Sequence, residues 1–130
     1  MRLLIADDDR LVCEMLKRFC ETCGHEVVEI VSGGGLSVIQ SYGRHLPDIL
    51  LLDVLMPRLN GFTVCRNIVS RYPDAKVILM SGIVDRDDDA VGHSGAAAFL
   101  QKPFEVGVLD ALLTSISSKA ANPPKSHAAA

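Results

Sequence analysis

The chain has 130 residues, 48% of them hydrophobic, and a formal net charge of −3. That length fits one domain with a hydrophobic core of its own, and the acidic balance argues against direct nucleic-acid binding, which calls for a basic face. No apolar run approaches the roughly 18 residues of a membrane span, and no cleavable leader pattern opens the chain.

In chain order, Leu3-Leu4-Ile5-Ala6 is a short buried strand closed by Asp7-Asp8-Asp9. Val12, Met15, Leu16, Phe19 and Cys23 then recur at helical spacing, so an amphipathic helix follows, capped by Asp8 or Asp9 and ended by Gly24. Glu26 to Val31 is a second strand, and the glycines at 33 to 35 lead into a short helix from Leu36 to Tyr42, ending near Gly43. Pro47-Asp48 introduces Ile49-Leu50-Leu51-Leu52-Asp53, an apolar run that reads as a strand buried on both faces. Phe62 to Tyr72 is a helix stopped by Pro73. Lys76 to Met80 is the fourth strand, ending in Ser81-Gly82; Asp85 to Ser94 is a weak helix rich in poor formers. Ala97 to Leu100 is the fifth strand, Lys102-Pro103-Phe104 follows it, and a last helix runs from about Glu105 to Ser117. Residues 1–118 are therefore expected to form the domain and 119–130 a flexible tail or the start of a linker.

Five alternations of strand and helix imply an α/β fold: a parallel sheet, doubly wound, with helices on both faces and right-handed crossovers. The four cysteines, Cys13, Cys20, Cys23 and Cys65, fit reduced thiols and a cytoplasmic location. Cys20 and Cys23 form a CxxC with His25 nearby, but no second cysteine pair completes a metal site.

The chemistry lies where the strands end. Asp7 and Asp8 close strand 1, Asp53 closes strand 3, Ser81 strand 4 and Lys102 strand 5. In a parallel sheet these ends share one edge, the edge at which open α/β sheets bind ligands. Each residue has a bland explanation: Asp8 as a cap, Ser81 as a turn residue, Lys102 as an exposed charge. Their coincidence at four strand ends is harder to explain that way. Clustered carboxylates need a cation, and a hard divalent ion such as Mg²⁺ uses one or two carboxylates, waters and a phosphate. Asp53 is then either a metal ligand only or also the nucleophile that takes a phosphoryl group.

These residues resemble the receiver domain of two-component response regulators, from about Arg2 to Ser118. The likeness rests on Leu3 through Asp9, Asp53 with Met56-Pro57 and Gly61, Met80-Ser81-Gly82, and Gly95-Ala96 through Lys102-Pro103-Phe104. It implies a five-stranded, flavodoxin-like (βα)5 sheet of order 2-1-3-4-5. It also implies that Asp53 is the phosphoacceptor for a phosphohistidine on a sensor histidine kinase or a histidine phosphotransfer protein. Asp8 and Asp53 would bind Mg²⁺ directly, Asp7 through water, and the backbone carbonyl of Leu55 as a further ligand. Lys102 would hold a phosphoryl oxygen, and its bond to Pro103 would be cis. Ser81 would move to the phosphoryl group and Phe99 would turn inward behind it. That would reshape the face of the fourth helix, fifth strand and fifth helix for a downstream output domain or protein.

Phe99 lacks the hydroxyl of the tyrosine often found at that position, so a switch there works through packing alone. Leu55 and Ile83 stand where family members tune phosphoryl loss, and both are apolar, which implies a long-lived phosphorylated state. Two other functions compete: a scaffold with this fold that is never phosphorylated, and an aspartyl-phosphate phosphatase of the haloacid dehalogenase type. The phosphatase pattern needs Asp-x-Asp followed by Thr or Val after strand 1, whereas Arg10 and Leu11 follow Asp9 here. No independent turnover of a substrate is expected. A monomer or weak homodimer, free of membrane, completes the expectation.

Overall fold

The structure is a computed structural model that describes residues 1–55, 58, 60–82 and 88–121, with backbone alone at 88–90 and 118–121. The elements alternate as β1 (Arg2–Ala6), α1 (Arg10–Thr22), β2 (Glu26–Val31), α2 (Gly35–His45), β3 (Ile49–Asp53), α3 (Gly61–Arg71), β4 (Val77–Ser81), α4 (Asp88–Ser94), β5 (Ala98–Gln101) and α5 (Val106–Ala121). All strand pairs are parallel, and the order across the sheet is β2-β1-β3-β4-β5. The fold class and strand order are those expected.

Alternation along each strand builds two cores, because successive side chains point to opposite faces. Leu4, Ala6, Leu50, Leu52, Val77 and Leu79 pack with Val38 and Tyr42 of α2 and Val64, Cys65 and Ile68 of α3. Leu3, Ile5, Ile49, Leu51, Ile78 and Met80 pack with Cys13, Leu16 and Cys20 of α1 and Leu109, Leu113 and Ile116 of α5. Every residue of β3 and β4 is buried, as the unbroken apolar runs imply. The sheet's middle is thus packed on both sides, and that packing positions its carboxyl edge.

Capping sets where the helices begin. Asp9 caps α1, its Oδ1 accepting from the amides of Leu11 (3.0 Å) and Val12 (3.3 Å). Asn60 caps α3 by accepting from the Thr63 amide at 2.9 Å. Gly24, at φ +90, receives the chain after α1. Such a backbone costs glycine nothing and a side-chain-bearing residue roughly 1 kcal/mol or more.

Two helix ends differ from expectation. Instead of stopping near Gly43, α2 runs to His45 and ends at Leu46, a left-handed residue at φ 44 whose amide reaches the Tyr42 carbonyl at 2.8 Å. Tertiary contacts outweigh glycine's poor helix propensity here: Tyr42 is buried, Arg44 and His45 both bond Glu29, and a Cβ at Gly43 would lie 3.1 Å from the Tyr72 hydroxyl. The last helix continues to Ala121, past the expected end at Ser117, through Lys119-Ala120-Ala121, which are strong helix formers. Met56-Pro57, Ile83, the expected start of the fourth helix at Asp85 and the tail from 122 onward lie outside the described residues.

Candidate functional site

The β1 strand delivers Asp7 and β3 delivers Asp53 to the same edge, because the two strands are adjacent and in register, Ala6 opposite Leu52. Both acids are buried, at 1% and 7% exposure. Lys102, following β5, reaches across the ends of the strands: its Nζ donates to Asp7 Oδ2 at 2.5 Å and lies 3.7 Å from Asp53 Oδ1. Ser81, at the end of β4, is 2% exposed, and its carbonyl accepts from the Lys102 amide at 2.7 Å. The β4–β5 ladder therefore sets the distance of the lysine from the acids. The Lys102–Pro103 peptide bond is cis.

The backbone holds the carboxylates in place. Asp7 Oδ1 accepts from the Asp9 amide at 2.9 Å, and Asp53 Oδ1 accepts from the Leu55 amide at 3.3 Å. Gly61 closes the loop after β3: its amide donates to the Val54 carbonyl at 2.6 Å, and a Cβ there would fall 2.5 Å from the Asp53 carbonyl oxygen. Only glycine lets the loop approach so closely. The Cys13 thiol donates to the Asp7 carbonyl at 3.3 Å from inside the core. Sequence reasoning missed these supports. The signal for the Asp9 amide was present, since Asp-x-Asp is the spacing of an Asx turn; the Cys13 contact had none, depending as it does on how α1 packs.

The electrostatics of the edge are unbalanced. Burial, then the charge of Asp7, pushes the Asp53 carboxyl up to about 6, against the opposing pull of Lys102 and the Leu55 amide. Asp8 is raised as well, first by desolvation and then by Asp7, with Lys102 again opposing. The Lys102 ammonium thus pairs with Asp7 and Asp53 and opposes the shift at Asp8. Carboxyls perturbed by burial and by a specific charged neighbour make this edge a candidate functional site.

Among the described residues, no three His, Cys, Asp or Glu side chains already converge into a metal cage. Asp7 and Asp53 come together on Lys102, whereas Asp8 is exposed. The donor set nevertheless fits Mg²⁺, which binds through one or two carboxylates and retains several waters. Burial first and the charge of Asp7 second raise the Asp53 carboxyl, and a cation bound there would oppose both. Phe99 is half-buried against the α2–α3 core.

A parallel sheet of this order with acids and a lysine at its carboxyl edge defines a class, and comparison names it. Residues 3–114 match the response regulator receiver domain. The chain belongs to that family. It is 36% identical over 117 residues to the response regulator MprA of Mycobacterium leprae, and 33% identical to MprA of Mycobacterium avium. Each match covers 89% of this chain and 49% or 50% of the relative, so the chain spans about half the length of these MprA relatives. Among solved structures it is similar to CheY of Borrelia burgdorferi, in complex with CheX, BeF3 and Mg²⁺, at a TM-score of 0.79 and 26% identity, covering 88% of each chain. The receiver domain of NarL from Mycobacterium tuberculosis gives a TM-score of 0.76 and 29% identity, covering 89% of this chain and 95% of that one. The chain is thus a receiver domain of the two-component type, related to signalling proteins. No helix among the described residues is long and apolar enough to cross a membrane.

Proposed function

We propose that this receiver domain is switched by a phosphoryl group taken onto Asp53 from a phosphohistidine. An oxygen of the Asp53 carboxylate attacks phosphorus, the phosphorus–nitrogen bond breaks, and the imidazole leaves with a proton. Asp53 is suited to this because the Leu55 amide orients one of its oxygens and Lys102 stands 3.7 Å away. Catalysis of phosphoryl transfer is mainly positioning and charge stabilisation.

Lys102 pairs with a phosphoryl oxygen as a point charge, and the Ser81 hydroxyl donates to another. Mg²⁺, held by Asp8 and Asp53, by Asp7 through water and by the Leu55 carbonyl, would neutralise phosphoryl oxygens when bound. The Borrelia burgdorferi CheY relative, solved with Mg²⁺ and BeF3, supports assigning such an ion here. Phe99 then packs inward behind Ser81, and the face of α4, β5 and α5 changes for a downstream domain or protein. The donor is a sensor histidine kinase or a histidine phosphotransfer protein.

The observation that carries this reading is the pair of buried acids, Asp7 and Asp53, sharing the single Lys102 ammonium. Intact-mass measurement after incubation with acetyl phosphate and Mg²⁺ tests it. The expected result is one added phosphoryl group on the wild-type chain, absent from Asp53→Asn and absent without Mg²⁺. A chain that gains none from any donor is a receiver-like scaffold.

A further inference from the structure

Asp8 is exposed, whereas Asp7 and Asp53 are buried. An exposed side chain takes its starting direction from the backbone that carries it, and here that backbone is pinned on both sides. The Asp7 amide donates to the Val31 carbonyl at 3.1 Å, and the Asp9 amide donates to Asp7 Oδ1 at 2.9 Å. Two further bonds come from Cys13: its amide donates to the Asp9 carbonyl at 3.0 Å and its thiol to the Asp7 carbonyl at 3.3 Å. The amide bond is the ordinary first bond of α1, and any residue but proline would make it. The thiol bond belongs to the side chain. Cys13 is 2% exposed and sits in the core between the sheet and α1 and α5, so its thiol reaches the Asp7 carbonyl from the side away from solvent.

The Asp7 carbonyl and the Asp8 nitrogen belong to one planar peptide group. A bond that holds the carbonyl therefore also holds the plane from which Asp8 departs. We propose that Cys13 is a positioning residue for the cation site: by fixing the Asp7–Asp8 peptide plane, its thiol aims the Asp8 carboxylate at a bound divalent ion. This role rests on Asp8 and Asp53 being direct Mg²⁺ ligands. Groups that orient a ligand without touching the metal change affinity roughly 10- to 100-fold when removed. A thiol is a weak donor, which puts Cys13 at the lower end of that range. Cys13 also fills space in the core, and Cys20 separates the two roles. It is equally buried in the same cluster, but it lies two turns, about 10 Å, farther along α1 from the acids.

The test compares the full wild-type chain with Cys13→Ala, Cys13→Ser and Cys20→Ala by amide NMR, first metal-free and then titrated with Mg²⁺. Without metal, the Asp8 nitrogen resonance is expected to move in Cys13→Ala. It should return close to its wild-type position in Cys13→Ser, whose hydroxyl donates to the same carbonyl. Cys13→Ala is expected to bind Mg²⁺ about tenfold more weakly than wild type, with Cys13→Ser and Cys20→Ala close to wild type. An Asp8 resonance that ignores Cys13→Ala, equal Mg²⁺ affinity in Cys13→Ala and wild type, an equal loss in Cys20→Ala, or no rescue by serine would overturn the role. A wild-type chain with no Mg²⁺-dependent shifts is a different result: it would overturn the assignment of Asp8 and Asp53 as Mg²⁺ ligands, and this role with it.

Discussion

Two ion clusters flank the same sheet and face opposite electrostatic situations. On the β2–α2 flank, one oxygen of Glu29 accepts from Ser41 Oγ (2.5 Å), Arg44 (2.9 Å) and His45 (2.9 Å), and its carboxyl is held below its ordinary value, by the Ser41 bond foremost. At the carboxyl edge, two buried acids divide one lysine, and Asp53 is raised to about 6. Donors exceed acceptors in the first cluster; negative charge exceeds positive in the second. The first ties β2 to α2 and has nothing left to do. The second is left with more negative than positive charge, which a bound cation would offset, and such an imbalance in buried acids marks a candidate site.

Removing Lys102 should break the comparison most severely. With Lys102→Ala, Asp7 becomes a buried charge without its counter-ion, at an expected cost of about 3 kcal/mol, read from urea unfolding near neutral pH. A cost no larger than that of a surface substitution would mean that the pair is not truly buried.

Asp53→Asn should act in the opposite direction, adding on the order of 2 kcal/mol in Mg²⁺-free buffer at pH 7. Because the folded-state pKa of Asp53 is raised above its ordinary value of 3.8 to about 6, the native state holds its proton more tightly than the unfolded chain. Stability from this group is present below pH 4 and falls as pH rises towards 6. The wild-type chain should show that loss and Asp53→Asn should not. Mg²⁺ should recover part of it in the wild-type chain only.

Glu29 carries the reverse sign and a smaller magnitude. Its folded-state pKa is lowered from 4.5, so its contribution is present above pH 4.5 and lost as pH falls below that value. Glu29 is about one-third exposed, and screening holds the cost of Glu29→Gln to about 1 kcal/mol or less. A larger loss, or one that does not shrink as pH falls below 4.5, would contradict the assignment of this cluster as a tie.

A subtler expectation concerns phosphoryl lifetime. Leu55 is apolar and exposed beside Asp53, so it cannot orient an attacking water. Label on the wild-type chain should decay slowly, and Leu55→Glu should hasten the decay; equal rates in the two chains would remove Leu55 from that role.

Most of the fold was legible because its signals are local. The unbroken run from Ile49 to Leu52 announced a strand buried on both faces, and Asp9 and Pro73 punctuated their helices. Legibility failed where distant contacts outweighed local preference. Gly43 reads as a helix end, yet the buried Tyr42 and the bonds from Arg44 and His45 to Glu29 carry α2 past it. The site was legible as a set of residue types at strand ends, but not as a geometry. Sequence placed Asp7, Asp8 and Asp53 at strand ends without their relative burial, whereas the structure buries Asp7 and Asp53 on one lysine and leaves Asp8 exposed.

The sequence by itself determined the alternation of strand and helix, the edge at which the acids, serine and lysine meet, and the family resemblance. The reason is that side-chain periodicity and turn chemistry act over a few residues. Only the tertiary structure decided which acid the lysine neutralises, how far burial raises Asp53, and how closely Gly61 lets its loop approach the Asp53 carbonyl. Those outcomes depend on groups 8 to 95 residues apart, and their separation in space is set by sheet register and packing. The deficit of positive charge at Asp53 is therefore a property of the folded chain.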